Sequence, residues 1–140
     1  MDVILGDHPV DEREKKLSFA LDRLAIAFHF ADYDFDETEY PEAVTTDYST
    51  LRERVAANFP NLGLYNVVLE INEKLGEDVL GTGDAIDDIC DIAGHMEEVL
   101  WCWENTSIDD ALWRFKEPYS WHWGKHLRDL QSCLFEKLCG

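Results

Sequence analysis

The chain has 140 residues, about one domain's worth, with 30 acidic against 12 basic residues and a formal charge of −18 at pH 7. Such a surface repels nucleic acid and anionic membrane, so neither is an expected partner; a protein partner or self-association is compatible with it. Apolar residues make up 46% of the chain, with five Trp, five Tyr and seven Phe, which is enough to fill a core and argues against disorder.

The first ten residues read as an arm ended by Pro9. A helix is expected from about Asp11 to Ala31, because Leu17, Leu21, Leu24, Phe28 and Ala31 recur at helical spacing. Asp11, Glu12 and Glu14 place negative charge in its first turn, where the helix dipole favours it. An acidic loop follows over residues 32–46. A shorter helix is expected from about Tyr48 to Asn58, capped by Asp47 and closed by Pro60 and Gly63.

Residues 63–75 carry two patterns at once. Tyr65, Val67, Leu69 and Ile71 alternate as in a strand, while Leu64, Val68, Ile71 and Leu75 step as in a helix. A lone strand leaves its backbone groups unpaired, so the helix is the expected form. Gly81 and Gly83 read as turn residues, since the acids around them and the missing Lys disfavour a phosphate cradle.

A long helix is expected over about 84–104, with Thr82 or Asp84 as its cap and Ile86, Ile89, Ala93, Met96, Leu100 and Trp103 on one stripe. Ser107 and Asp110 then stand in capping-box spacing before a last helix over about 108–137, which Pro118 kinks or divides. Its inward stripe reads Leu112, Phe115, Tyr119, His122, His126, Leu130 and Leu134. The fold class is thus all-α, a single-domain bundle of about four to five helices with a long antiparallel C-terminal hairpin. Folding the chain about Asn105 sets Asp91 near Ser120, Asp88 near Trp123 and Asp84 near Leu127, to within about one turn.

Cys90, Cys102, Cys133 and Cys139 show no C-x-x-C spacing and form neither a zinc knuckle nor a disulfide framework. The opening residues lack a basic segment followed by an apolar run, and "VLWCW" at 99–103 is too short to span a bilayer. A reduced, cytoplasmic protein is the expectation.

The hairpin gathers Asp84, Asp88, Asp91, His122, His126 and Arg128 into one candidate polar cluster. His122 and His126 share a helical face and suit one metal ion, with Asp88 or Asp91, or else His29, as a third ligand. Zinc, iron or manganese fits such a set. Trp123 stands where a zinc protease of the H-E-x-x-H type needs Glu, which excludes that class. The acids of "GDAIDDICDIAGHMEE" are spaced like those on one helix of a magnesium-dependent nucleotide pyrophosphatase, but the facing helix offers histidines and Arg128 in place of a second acidic set. Asp32, Asp34 and Asp36 copy part of a calcium loop that fails at Glu37 and Ala43. No cysteine or serine has the neighbours of a nucleophile, and the acids beside Cys90 oppose a reactive thiolate. The five tryptophans are too many for one core face, so some belong to the surface.

The pieces "FPNLGLYNVVLEI", "GDAIDDICDI", "EEVLW" and "DALWRF…Y…HWGKHLRDL", over roughly residues 59–131, resemble an uncharacterised bacterial family of domains of unknown function. The resemblance implies an all-helical fold and matches Asp88, Asp91, Trp113, His122 and His126 to the family's motif positions. Gly94, His95 and Pro118 depart from that pattern. Two functions follow from the residues. One is a binding or regulatory domain working through protein contacts, with no cofactor and with the cluster fixing the hairpin's register. The other is a divalent-metal-dependent hydrolase using His122, His126 and Asp88 or Asp91 to hold the ion and its water.

Overall fold

The computed structural model describes residues 9–140. The arm expected over the first ten residues lies outside the described residues except for Pro9 and Val10, and Val10 is already helical. Five α-helices and one two-stranded sheet follow: α1 (Val10–Phe30), α2 (Tyr48–Asn58), β1 (Leu64–Val68), β2 (Leu80–Asp84), α3 (Ala85–Asn105), α4 (Ile108–Lys116) and α5 (Trp123–Cys139). The domain is predominantly helical, as its apolar spacing indicates.

The helices form where spacing and caps agree. Leu17 and Leu21 of α1 are buried, and Leu24 and Phe28 pack against the core beside them. Asp47 accepts the Thr50 amide at 3.0 Å and starts α2. Asp84 accepts from the Ile86 and Asp87 amides and starts α3, and Ser107 accepts the Asp110 amide at 3.0 Å and starts α4. No helix among the described residues is long and apolar enough to cross a membrane.

α3 is the central element, in contact with α2, α4 and α5, while α1 packs against α5. Ile86, Ile89, Ala93 and Met96 of its expected stripe are buried, but Leu100 and Trp103 are exposed, so the apolar stripe leaves the core at the last two turns. After α4, a 3-10 turn at Glu117–Tyr119 and a further turn separate the two halves of the expected last helix. Pro118 lies at the start of that break and is buried. Trp123, fully buried, donates its indole N–H to the Phe115 carbonyl at 3.0 Å across the break. Contacts from α3 run in reverse order away from the Asn105 turn: Arg114 meets Glu98 and His95, and His126 meets Asp91 and Asp88. Asp88 thus faces His126, about one turn beyond Trp123, because the turn at 120–122 uses residues without advancing along α3.

The helix expected over 63–75 does not form. Leu64–Val68 pairs antiparallel with Leu80–Asp84, from Leu64↔Asp84 to Val68↔Leu80. The partner strand lies in "LGTGD", where it is hard to see because glycine has low strand propensity and looks like a turn. Gly81 and Gly83 are strand residues here, and the reason is space. A Cβ on Gly81 would stand 2.7 Å from Leu69 Cδ2, and one on Gly83 would stand 2.7 Å from Tyr65 Cζ. The side chains of Tyr65 in β1 and of Leu69 just after it lie across a strand that has no side chains at those two positions. Pairing satisfies the backbone groups that a lone strand would leave open. Ala85 N–H donating to the Gly63 carbonyl at 3.0 Å closes the base of the hairpin onto α3.

Candidate metal centre

Asp88 and Asp91 stand on successive turns of α3, facing the break and the first turn of α5. His122 occupies the N-cap position of α5 without a side-chain capping bond, and His126 lies one turn into the helix. Gly124 between them allows a close approach: a Cβ there would stand 2.3 Å from the Tyr119 carbonyl oxygen. The "HWG" motif therefore works as a unit. Trp123 anchors the start of α5 in the core, Gly124 lets the chain turn tightly, and the two histidines flank them.

His126 sits between two carboxylates. Its Nδ1 is 2.7 Å from Asp88 Oδ1 and its Nε2 is 3.1 Å from Asp91 Oδ2. Asp88 is 5% exposed, and its other oxygen accepts a hydrogen bond from the Tyr65 hydroxyl of β1. The ring of His122 stands 5.4 Å from that of His126 and 6.2 Å from that of His95. Nitrogens of His122 and His126 and an oxygen of Asp91 lie within 4.8 Å of one another.

The charges are unbalanced. Burial pushes the Asp91 carboxyl up, and Asp87 beside it adds to the push; His126 and His122 oppose it. The hydrogen bond to Asp88 raises His126 against the cost of burial. Burial lowers His122, which keeps its imidazole neutral and its lone pair available. Two nitrogens and a carboxylate oxygen within 4.8 Å of one another, backed by a second carboxylate on the far nitrogen of one ring, are groups that could hold a divalent first-row metal.

Not every expected member of the cluster is here. Asp84 turns its carboxylate to Arg52 at 2.8 Å while capping α3. Arg128 donates through Nε to the Tyr119 hydroxyl at 3.1 Å and also meets Gln131. Asp84 and Arg128 are thus each engaged outside the histidine cluster. His29 is exposed at the end of α1, with its ring against Phe28. Asp36, of the calcium-loop fragment, accepts from Thr38, Tyr40 and Ser107. Of the tryptophans, Trp123 is buried while Trp103 and Trp121 are exposed.

Sequence reasoning missed Tyr65, His95 and Tyr48. Tyr65 has a signal, the strand alternation it shares with Val67 and Leu69, but the helical spacing of the same segment competes with it. Tyr48 donates to Asp87 from the start of α2, and His95 Nε2 stands 2.7 Å from the Arg114 carbonyl. Neither contact has a local sequence signature.

Fold and site together define a small, acidic, mainly helical domain with a histidine–aspartate constellation between its central helix and its last. The chain belongs to the family described as Domain of unknown function (DUF5063), which matches residues 10–136. That match extends on both sides of the stretch over which the sequence showed its resemblance. No curated protein and no solved structure matches the chain.

Proposed function

We propose that this is a divalent-metal-binding domain with Asp91, His122 and His126 as protein ligands. The observation that carries the reading is the meeting of three donor atoms within 4.8 Å of one another. Metal–nitrogen and metal–oxygen bonds of about 2.0–2.2 Å need only a modest closure of these groups. His126 supports the reading further. With Nδ1–H given to Asp88, its Nε2 is the ligating nitrogen, and an ion there takes the place of the proton that Nε2 shares with Asp91. Zinc, manganese and iron are the ions this donor set suits. Three protein ligands leave a position for water, which a bound zinc ion would bring to a pKa of about 7. Hydrolysis is the chemistry we assign to that water, and it stands or falls separately from binding.

The test is elemental analysis of untagged protein purified without chelator and then offered zinc or manganese. About one ion per chain, lost in the His122→Ala, His126→Ala double variant with its helical content intact, is the expected result. No ion in the wild type after soaking sinks the reading. A hydrolysis screen of the loaded protein follows only if the ion is present.

A second reading has its own observation. Leu64, Val68 and Leu80 of the hairpin are exposed, as are Ile71 and Leu75 at its tip. We read this apolar surface as a contact for another protein or a second copy of the chain. Light scattering across a range of concentrations tests the second copy; a constant monomer mass would exclude it. The four unpaired thiols support a cytoplasmic setting for either reading.

A further inference from the structure

One of the three proposed ligands is held from outside the helices. Asp88 Oδ1 accepts from His126 Nδ1 at 2.7 Å, and Asp88 Oδ2 accepts from the Tyr65 hydroxyl. Asp88 is 5% exposed, so its oxygens depend on protein donors. Tyr65 reaches it from β1, and its ring lies over the backbone of β2 at Gly83. A Cβ on Gly83 would stand 2.7 Å from Tyr65 Cζ and 2.9 Å from Cε1. The chain of contacts therefore runs Gly83, Tyr65, Asp88, His126, and ends at the nitrogen that faces Asp91.

We propose that Tyr65 is a positioning residue of the metal centre, acting through Asp88 on His126, and that position 83 is glycine to admit its ring. This rests on the metal reading and adds a regulator to it: the docked hairpin sets the affinity of the site. The physical reason is orientation. A carboxylate that holds the far nitrogen of a ligating imidazole fixes both its tautomer and its ring plane, and it does so only if it is held itself. Removing the Tyr65 hydroxyl leaves one oxygen of a buried carboxylate without its donor. Asp88 is then free to turn, and the imidazole turns with it.

Zinc(II) and cobalt(II) are the probes. Competition against a chromophoric chelator reads the affinity, and the cobalt ligand-field spectrum reads the geometry. Tyr65→Phe is expected to keep about one ion per chain while binding it roughly 10–100-fold more weakly, with an altered cobalt spectrum. Gly83→Ala changes no polar group and should move both readouts in the same direction by displacing the ring. Gly81→Ala, in the same strand, is the control, because the three atoms nearest its Cβ all belong to Leu69, with Cδ2 at 2.7 Å. It is expected to keep wild-type affinity and spectrum. Wild-type values for Tyr65→Phe would overturn the proposal, and so would equal weakening by Gly81→Ala and Gly83→Ala, which would point to hairpin stability alone. If Tyr65→Phe does not fold, the two glycine variants decide. A wild type that binds neither ion fails the metal reading itself, an outcome distinct from tight binding indifferent to Tyr65.

Discussion

The two ends of α3 organise their polar groups in opposite ways. At the C-terminal end and the turn beyond it, the carboxylates meet hydroxyls and an arginine, although Arg114 Nε is left without a hydrogen bond. Thr106 donates to Asp110 at 2.8 Å, Ser107 donates to Asp36, and Arg114 meets Glu98 at 3.0 Å and Asp110 at 3.7 Å. At the N-terminal end, Arg52 pairs with the capping Asp84 at 2.8 Å, but no Lys or Arg among the described residues lies within ion-pair distance of Asp87, Asp88 or Asp91; the basic partner of Asp88 and Asp91 is His126. The first arrangement is a closed seam of the kind that fixes register. The second leaves carboxylates crowded beside imidazoles, and a divalent cation would relieve that crowding. Two polar clusters on one helix can thus differ in kind, and the presence of full-charge partners tells them apart.

The largest effect should come from breaking both ends together. Trp123 is fully buried, next to both His95 and Phe115, so Trp123→Ala is expected to cost about 3–5 kcal/mol in chemical denaturation. A loss below about 1 kcal/mol would contradict its role as the anchor of α5. Gly124→Ala should break only the histidine end. Its Cβ would collide with backbone, not with a flexible tip, so a loss of about 1–3 kcal/mol is expected, together with loss of metal binding. Retained metal affinity in that variant would mean the tight turn is not what places the histidines.

Ser107→Ala addresses the other end. It removes the cap of α4 and the donor to Asp36, and should cost about 0.5–2 kcal/mol while leaving metal binding at the wild-type value. A drop in metal affinity there would merge the two ends into one network. The smallest effect concerns pH. Hydrogen bonds from Ser107, Tyr40 and Thr38 hold the Asp36 carboxyl below its ordinary value of 3.8. A depressed folded value contributes stability that is fully present above the ordinary value and is lost as the pH falls below it. Melting curves from pH 7 down to pH 3 should therefore show the gap between wild type and Asp36→Asn beginning to narrow once the pH passes below the ordinary value of 3.8. A constant gap between the two would remove Asp36 from the seam.

Much of the fold was legible because its signals are local. The spacing of Leu17, Leu21 and Leu24, the caps at Asp47 and Ser107, and the stop at Pro118 depend on neighbours within a turn or two. The pairing of α3 with the segment after it follows from turn position and rise alone, which is why it is good to about one turn and no better. The hairpin was not legible. Half of its signal lies in Tyr65 and Val67, and the other half in Gly81 and Gly83, where the informative feature is a missing side chain.

The sequence by itself determined a mainly helical, acidic domain and the candidacy of His122, His126, Asp88 and Asp91, because periodicity, charge and residue chemistry are written along the chain. Only the tertiary structure decided which candidates meet. It sent Asp84 to Arg52 and Arg128 to Tyr119, brought Tyr65 to Asp88, and set His126 between two carboxylates. The reason is physical. A side chain's partner is settled by competition among all groups within reach, and the members of that competition come from strands, turns and helices far apart in sequence.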